Sequence, residues 1–157
     1  MAKPWKIPEL NPEESLKQCV AKIALTRFQE TFSYEQATTI GEDPEGLHDM
    51  RVAARRMRAV LKIFHSCFSK KKIKKYDSLF QTLVRTLGAV RESDVFLDSL
   101  ISYKKTVELR DQKIIDLLIA REMSSRIVYR KKLLNELKLI SNNKHPDSFV
   151  PFLKKTH

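Results

Sequence analysis

Basic side chains are concentrated in the stretch HDMRVAARRMRAVLKIF, which runs from His48 to Phe64. It contains four arginines, one lysine and one histidine, but only one acidic residue, Asp49. A guanidinium group carries a planar set of N–H donors that matches the oxygens of a phosphate, and it stays charged at physiological pH. These residue types indicate binding of an anion that carries several phosphate groups.

The spacing of these residues places most of the charge on one side of a helix. With about 100° of rotation per residue, five of them fall within an arc of about 80°. These five, which we call the basic ridge, are His48, Arg51, Arg55, Arg58 and Lys62. Arg56 lies on a flank, where it either contacts a neighbouring helix or widens the ridge. Because like charges three or four residues apart destabilise a helix by roughly 0.2–0.5 kcal/mol, a bound polyanion is the simplest explanation. The alternative is a solvated face, or one paired with acids of an adjacent helix.

Composition agrees with a polyanionic partner. The chain has 157 residues, of which 42% are hydrophobic, so we expect one folded domain with a real core. Thirty Lys and Arg residues against 19 Asp and Glu give a formal charge of +11. Nucleic acid, polyphosphate and an anionic membrane surface would all suit this charge. Cys19 and Cys67 lie far apart among apolar neighbours, so we interpret both as core thiols and predict no metal site.

The pattern of apolar residues predicts an all-α fold. The chain has three glycines, and its apolar residues recur every three or four positions. Four helices are predicted, joined by short connections: from Asn11 and Pro12 to Gly41, from Pro44 to Phe68, from a lysine run to about Leu100, and from Val107 to Ile140. Four long amphipathic helices favour an antiparallel four-helix bundle. We therefore expect an irregular segment over residues 1–10 and a single helical domain over residues 11–157.

Two further arginines occupy an otherwise apolar stripe of the fourth predicted helix. Arg126 and Arg130 line up with Ile119, Met123 and Leu137, positions that we expect to be buried. A buried charge without a partner is costly, so these arginines need partners. They either form salt bridges with acids such as Asp94 or Asp98, or line a basic central cavity. The lysines between positions 70 and 75 are expected at the junction of the second and third helices. They either lie in a solvated connection or extend the basic site by long-range attraction.

Two motifs resemble those of a known family, the CHAD domain (conserved histidine α-helical domain). GLHDMRVAARRMRAVLKIF is similar to its signature helix, His-x-x-Arg-Val-x-x-Arg-Arg-x-Arg. LGAVRESDVFLDSL resembles a second element of the family, with Leu87, Gly88, Arg91, Asp94 and Val95 in place. Glu92 stands where the family often has Asp, which is a conservative change. The resemblance extends from about residue 12 to residue 155.

The resemblance implies a non-catalytic domain that binds inorganic polyphosphate through a basic surface. It implies His48, Arg51, Arg55 and Arg58 as leading contacts, with Arg56 as a further motif member. For the second motif we predict that Arg91 faces the ligand and that Asp94 orients an arginine, with a purely structural salt bridge as the alternative. Our predicted polyphosphate-binding set also includes three cations from outside the motifs, namely Lys62, Arg126 and Arg130.

Usual members of the family contain two four-helix halves, whereas this chain is long enough for only one. Only one His-x-x-Arg ladder is present, which leads us to predict a single half. A homodimer would restore the pair, and a fragment of a longer protein is the alternative. The family is often joined to a triphosphate-processing catalytic domain, so an enzyme of that class is a candidate partner.

Nothing in the sequence suggests catalysis. It contains no paired carboxylates at a motif spacing, no Gly-rich phosphate loop and no nucleophile motif, so we predict neither enzymatic activity nor a cofactor. The alternatives are binding of a nucleic-acid phosphate backbone and docking of an acidic protein partner. Without an apolar leader or a run of about 18 apolar residues, we expect no membrane association and a cytoplasmic location, with polyphosphate granules as a candidate site.

Overall fold

The computed structural model describes residues 3–142, 148, 149, 151 and 153, and these contain helices but no strand. Four long helices form the bundle, which confirms the predicted all-α class, and a short fifth helix joins two of them. They are α1 (Leu16–Ser33), α2 (Glu35–Ile40), α3 (Pro44–Ile63), α4 (Lys70–Lys104) and α5 (Leu109–Asn142), with a 3-10 turn at His65–Cys67. No helix within the described ranges is long and apolar enough to cross a membrane.

The start of α3 agrees with the prediction. The side chain of Asp43 accepts a hydrogen bond from the backbone N–H of Glu45 at 2.9 Å, and Pro44 takes the first helical position. The N–H groups at a helix N-terminus have no partner within the helix. Asp43 satisfies one of them, and Pro44 has no N–H group that would need a partner. Helix α3 is therefore already established at His48, which lies four residues after Pro44.

The predicted start of the first helix at Asn11 is wrong. The Asn11 side chain accepts from the backbone N–H of Glu13 at 3.0 Å and closes a turn instead. Helix α1 begins at Leu16, where Ser15 and Gln18 form a reciprocal capping box. Two orphan N–H groups are satisfied there, whereas the Asn11–Pro12 pair offers one cap, so the later start is preferred.

The predicted single helix up to Gly41 is divided at Tyr34 into α1 and α2. Helix α2 ends at Gly41, whose φ of 72° lies in the left-handed region that favours glycine. The guanidinium of Arg130 donates to the carbonyl oxygens of Thr39 and Ile40 at 2.8 and 3.1 Å. A cation at this end of a helix neutralises the negative end of its dipole. The cap therefore fastens α2 to α5.

Lysines 70–75 belong to the first turns of α4 and not to a connection, which corrects that prediction. Their side chains are exposed. The two turns that follow carry the first core residues of α4, Tyr76 and Phe80, so packing extends the helix backwards through the basic run.

The core lies between α1, α3, α4 and the second half of α5. Met50, Met57 and Leu61 of α3 are fully buried against Phe80 and Leu83 of α4. Burial of side chains of this size contributes about 1.5–3 kcal/mol each. The core extends to Phe149, whose ring stacks on that of Phe28 with 4.2 Å between centroids. This packing fixes α3 with its apolar face inward and the basic ridge outward.

Ion pairs between neighbouring helices show that they run antiparallel. Arg58 near the end of α3 pairs with Asp77 near the start of α4, and Arg51 near the start of α3 lies opposite Glu92. In the α4–α5 hairpin, Lys104 contacts Asp116 at 2.6 Å.

Candidate functional site

The basic ridge occupies the outer face of α3, as the sequence predicted. Arg55 and Lys62 are exposed, and His48, Arg51 and Arg58 are partly buried. Buried residues such as Met50 and Met57 occupy the opposite side of the helix. The five basic residues thus lie along one line of about 20 Å, given a rise of 1.5 Å per residue.

Arg51 lies across α4 at a glycine. A Cβ atom built on Gly88 would lie 3.5 Å from Nε of Arg51, so the guanidinium rests directly above this position. Its contact with a carboxylate is marginal, since Nη2 lies 4.0 Å from Oε1 of Glu92 and the Glu92 side chain is 79% exposed. An exposed pair at this distance contributes little, so most of the charge of Arg51 remains available.

Arg58 has the closest carboxylate partner on the ridge. Its Nε lies 3.1 Å from Oδ1 of Asp77, with both side chains partly exposed. By contrast, neither Arg55 nor Lys62 forms an ion pair with any described residue. The alternative of a ridge already neutralised by a neighbouring helix therefore applies to Arg58, and only weakly to Arg51.

Two polar nitrogens of the ridge are buried without a hydrogen-bond partner in the described structure. They are Nδ1 of His48 and Nε of Arg51. A buried donor without an acceptor costs roughly 1–3 kcal/mol. The described residues therefore leave these two polar atoms at the head of the ridge unsatisfied.

The ridge continues into a cleft between the end of α3 and the start of α4. This cleft has a volume of about 260 Å³, and Lys62, His65, Lys74 and Asp77 contribute its polar lining. Lys74 and His65 thus line the same cleft as Lys62. Sequence analysis considered Lys74 only as part of a lysine run, and it did not consider His65. Nδ1 of His65 lies 3.1 Å from the carbonyl oxygen of Lys62, three residues earlier in the chain.

Arg56 lies outside this surface. It points to α1, where Nη1 donates to Oε1 of Glu30 at 2.9 Å. The carboxylate of Glu30 is fully buried and also pairs with Arg27. Burial raises the pKa of the adjacent Tyr34, and the negative charges of Asp49 and Glu30 raise it further, while Arg56 opposes them. Of the two alternatives for Arg56, contact with a neighbouring helix is the one observed.

Arg126 and Arg130 also lie away from the ridge. Nε of Arg126 contacts Oδ1 of Asp94, so the predicted salt bridge forms. This contact fits both roles predicted for Asp94, orienting an arginine and forming a structural salt bridge. Arg130 caps α2. On α4, Asp94 and the ridge neighbour Glu92 point about 160° apart, because two residues correspond to a rotation of about 200°. The structure therefore does not bring this pair of arginines together with the ridge. Met123, predicted to be buried beside them, is 55% exposed.

The remaining predicted cation, Arg91, lies at the α3–α4 seam. It is partly buried and follows Gly88 by three residues, which places it one helical turn further along α4. It forms no ion pair within the part of the chain that the structure describes. Arg91 thus extends the same seam, past Arg51.

Comparison with known families gives one match. The CHAD domain model matches residues 22–140. The chain belongs to the CHAD family. The matched segment includes all of α3 and α4, and therefore the complete basic ridge. No curated protein matches the sequence.

One further cation of this CHAD domain was missed by sequence analysis. Arg85 of α4 is exposed and lies eight residues after Asp77 and three before Gly88, both of which face the ridge. The spacing of 3, 4 or 8 residues puts all three on one side of α4. This signal is present in the sequence, but it becomes informative only once the contacts of α3 with α4 are known.

The described residues include no cluster of three or more His, Cys, Asp or Glu side chains that could hold a metal ion. Cys67 is buried in the core as predicted, and Cys19 is partly buried. The groups that the ridge carries are arginine, lysine and histidine side chains, which donate hydrogen bonds to anions.

Proposed function

We propose that this CHAD domain is a non-catalytic module that binds inorganic polyphosphate along the basic ridge. The observation that carries the proposal is the incomplete neutralisation of the ridge. Arg55 and Lys62 have no acidic partner among the described residues, and Arg51 has only the distant Glu92. A helix face that keeps such self-repulsion is stabilised when a polyanion binds, because each cation then gains a charge-assisted hydrogen bond.

The shape of the ridge favours a narrow, flexible chain of phosphates. Successive cations on one face are separated by about one helical turn, roughly 5.4 Å, so a linear anion can contact them in sequence. Arg85 and Lys74 of α4 supply cations on the opposite side of the bound phosphate chain from α3. The seam between α3 and α4 thus offers donors from both helices to one extended ligand.

Nucleic acid is the main competing ligand, because its backbone carries the same phosphate charge. Proteins that bind single strands generally add aromatic side chains that stack on bases. The five ridge positions contain none, and Phe64 at the end of the stretch packs against the core. The ridge therefore suits a ligand without bases better than it suits RNA or DNA.

A module of this kind stores polyphosphate, senses it or presents it to an enzyme. Such a role is compatible with association with polyphosphate granules, and a triphosphate-processing enzyme is the class of partner to which the bound chain could be delivered.

A competition assay with a charge-reversal variant tests the proposal. Arg55→Glu with Lys62→Glu reverses the two cations that have no acidic partner. We expect this variant to lose polyphosphate binding by at least about 100-fold at physiological ionic strength, since several charge-assisted contacts become repulsive. For the unmodified protein, polyphosphate should displace single-stranded RNA at a lower concentration of phosphate groups than RNA displaces polyphosphate.

A matched control variant distinguishes the effect of the ridge from the effect of a lower net charge. Arg121→Glu with Lys131→Glu makes the same change in charge at two exposed residues of α5. This control should reduce affinity only slightly. Equal losses in the two variants, or stronger binding of RNA than of polyphosphate, would contradict the proposal.

A further inference from the structure

The upper part of the α4–α5 hairpin projects beyond the other helices. The turn between α2 and α3 meets the hairpin at the level of Asp94 and Arg126. Among the side chains of residues 95–125, only Leu100 and Ile115 are buried. We call residues 95–125 the arm. It consists of two helices that contact each other, and no other helix of the described residues runs along them.

The arm leaves an apolar groove open on its inner side. The groove has a volume of about 410 Å³ above the α2–α3 turn, and its apolar lining is Leu97, Ile101, Ile119, Met123 and Ile127. Met123 and Ile127 are 55% and 68% exposed. On α4, Leu97 and Ile101 continue the spacing of three or four residues that runs through Leu87 and Val90 in the core. The groove is thus an extension of the core stripe without a covering layer.

The described ends of the chain do not cover the groove. Trp5 near one end contacts Arg27 and Glu30 of α1. Phe149 near the other end stacks on Phe28. Both positions lie beside α1, away from the arm.

The charge of the arm indicates what kind of molecule would cover the groove. Residues 95–125 contain five Lys and Arg and five Asp and Glu, so the arm is neutral within a chain of charge +11. Two copies of a strongly basic protein repel each other at most surfaces, and a neutral apolar surface is where this repulsion is smallest. The groove is therefore suited to a second copy of the same chain.

We propose that two copies associate through the inner sides of their arms, packed antiparallel as a four-helix layer. Charge complementarity supports this arrangement. Asp98, on the groove near the base of the arm, and Lys105, near its tip, lie on one face of α4 with Ile101 between them. Neither has an ion-pair partner among the residues that the structure describes.

An antiparallel two-fold contact centred between Ile101 and Ser102 places Asp98 of one copy opposite Lys105 of the other. By symmetry the second pair forms as well, which is the property of an isologous interface. Each groove is then covered by the partner's hairpin, and the basic ridges on α3 remain outside the interface.

Sedimentation equilibrium and light scattering over a range of concentrations test this proposal. The unmodified chain should dimerise, and Met123→Glu should raise the dissociation constant by more than about tenfold, because it places a charge in the apolar groove. Leu117→Glu is the matched control. Leu117 is 72% exposed and lies about 120° round α5 from Met123, away from the groove, so dimerisation should persist.

Charge exchange tests the register of the two arms. Asp98→Lys and Lys105→Glu should each weaken the dimer, and the double variant should restore it, because the exchanged charges again face each other. Circular dichroism would establish that all variants retain their helices. A monomer at every accessible concentration, loss of the dimer with Leu117→Glu alone, or the absence of rescue would overturn the proposal. Polyphosphate binding by the ridge does not depend on this interface.

Discussion

At the scale of single residues, the ridge combines side chains that were placed correctly and contacts that the sequence did not reveal. The outward direction of Arg51, Arg55 and Arg58 follows from a rotation of 100° per residue on a helix with one apolar side. The contacts of Arg51 with Glu92 and of Arg58 with Asp77 depend on how α4 lies against α3. That register is set by core packing between distant segments, so periodicity within one helix could not predict it.

Asp77 is expected to weaken polyphosphate binding, because it neutralises part of the charge of Arg58. Asp77→Asn should therefore tighten binding about two- to fivefold, which corresponds to the modest energy of a partly exposed ion pair. Calorimetric titration would measure the change. Asp116→Asn removes a comparable acid that pairs with Lys104 on the arm and serves as the control. An equal gain with both variants would show that Asp77 has no specific influence on the ridge.

Arg56 should matter for stability and not for ligand binding. Arg56→Ala leaves the buried Glu30 with one arginine instead of two, and we expect a loss of about 1–3 kcal/mol in the free energy of unfolding. Urea denaturation would measure it. Polyphosphate affinity, measured well below the unfolding transition, should stay within about twofold of the unmodified protein. A large loss of affinity at full helical content would return Arg56 to the binding surface.

At the scale of helices, positions were predictable where one local signal dominated. Asp43 and Pro44 gave the start of α3 because a cap and a first-turn proline coincide there. The start of α1 was misplaced because Asn11–Pro12 and Ser15–Gln18 compete, and the capping box satisfies more N–H groups. The division at Tyr34 has no comparable local signal, since it depends on the packing of α2 against α3.

Two glycines should respond to alanine in opposite ways. At Gly41 the positive φ strains any side chain, and a Cβ would lie 2.0 Å from Nη2 of Arg130, so Gly41→Ala should destabilise the fold by more than about 1 kcal/mol. At Gly88 the nearest atom is 3.5 Å away, an ordinary contact. Gly88→Ala should stabilise α4 by about 0.5–1 kcal/mol. Thermal unfolding would measure both effects, and destabilisation by Gly88→Ala would show that Arg51 needs closer contact with α4.

At the scale of the whole molecule, the fold class and the charge were predictable, whereas the distribution of exposed apolar surface was not. An apolar stripe in a sequence predicts that its residues are buried, but it does not show which part of the structure covers them. The stripe through Ile119 and Met123 continues above the level where the α2–α3 turn ends, so these positions line a groove and not a core. The length of α3 relative to α4 and α5 decides this difference.

The net charge of +11 belongs to the whole protein, and we expect it to make polyphosphate affinity depend strongly on salt concentration. Each phosphate that a cation neutralises releases counterions, so the logarithm of the association constant should fall linearly with the logarithm of salt concentration. Reversal of Arg55 and Lys62 should reduce this slope by about 2, one for each lost contact. Binding titrations at several salt concentrations would measure the slope. An unchanged slope would mean that these two residues do not contact phosphate.

The most direct test of the ridge is to observe its guanidinium groups while polyphosphate is added. The Nε–Hε signals of the arginines can be assigned by NMR with Arg→Lys variants. We predict that the signals of Arg51, Arg55 and Arg58 shift with added polyphosphate, while those of Arg121, Arg126 and Arg130 stay in place. Shifts confined to Arg126 and Arg130, or no shift at the three ridge arginines under conditions where binding is saturated, would contradict the account.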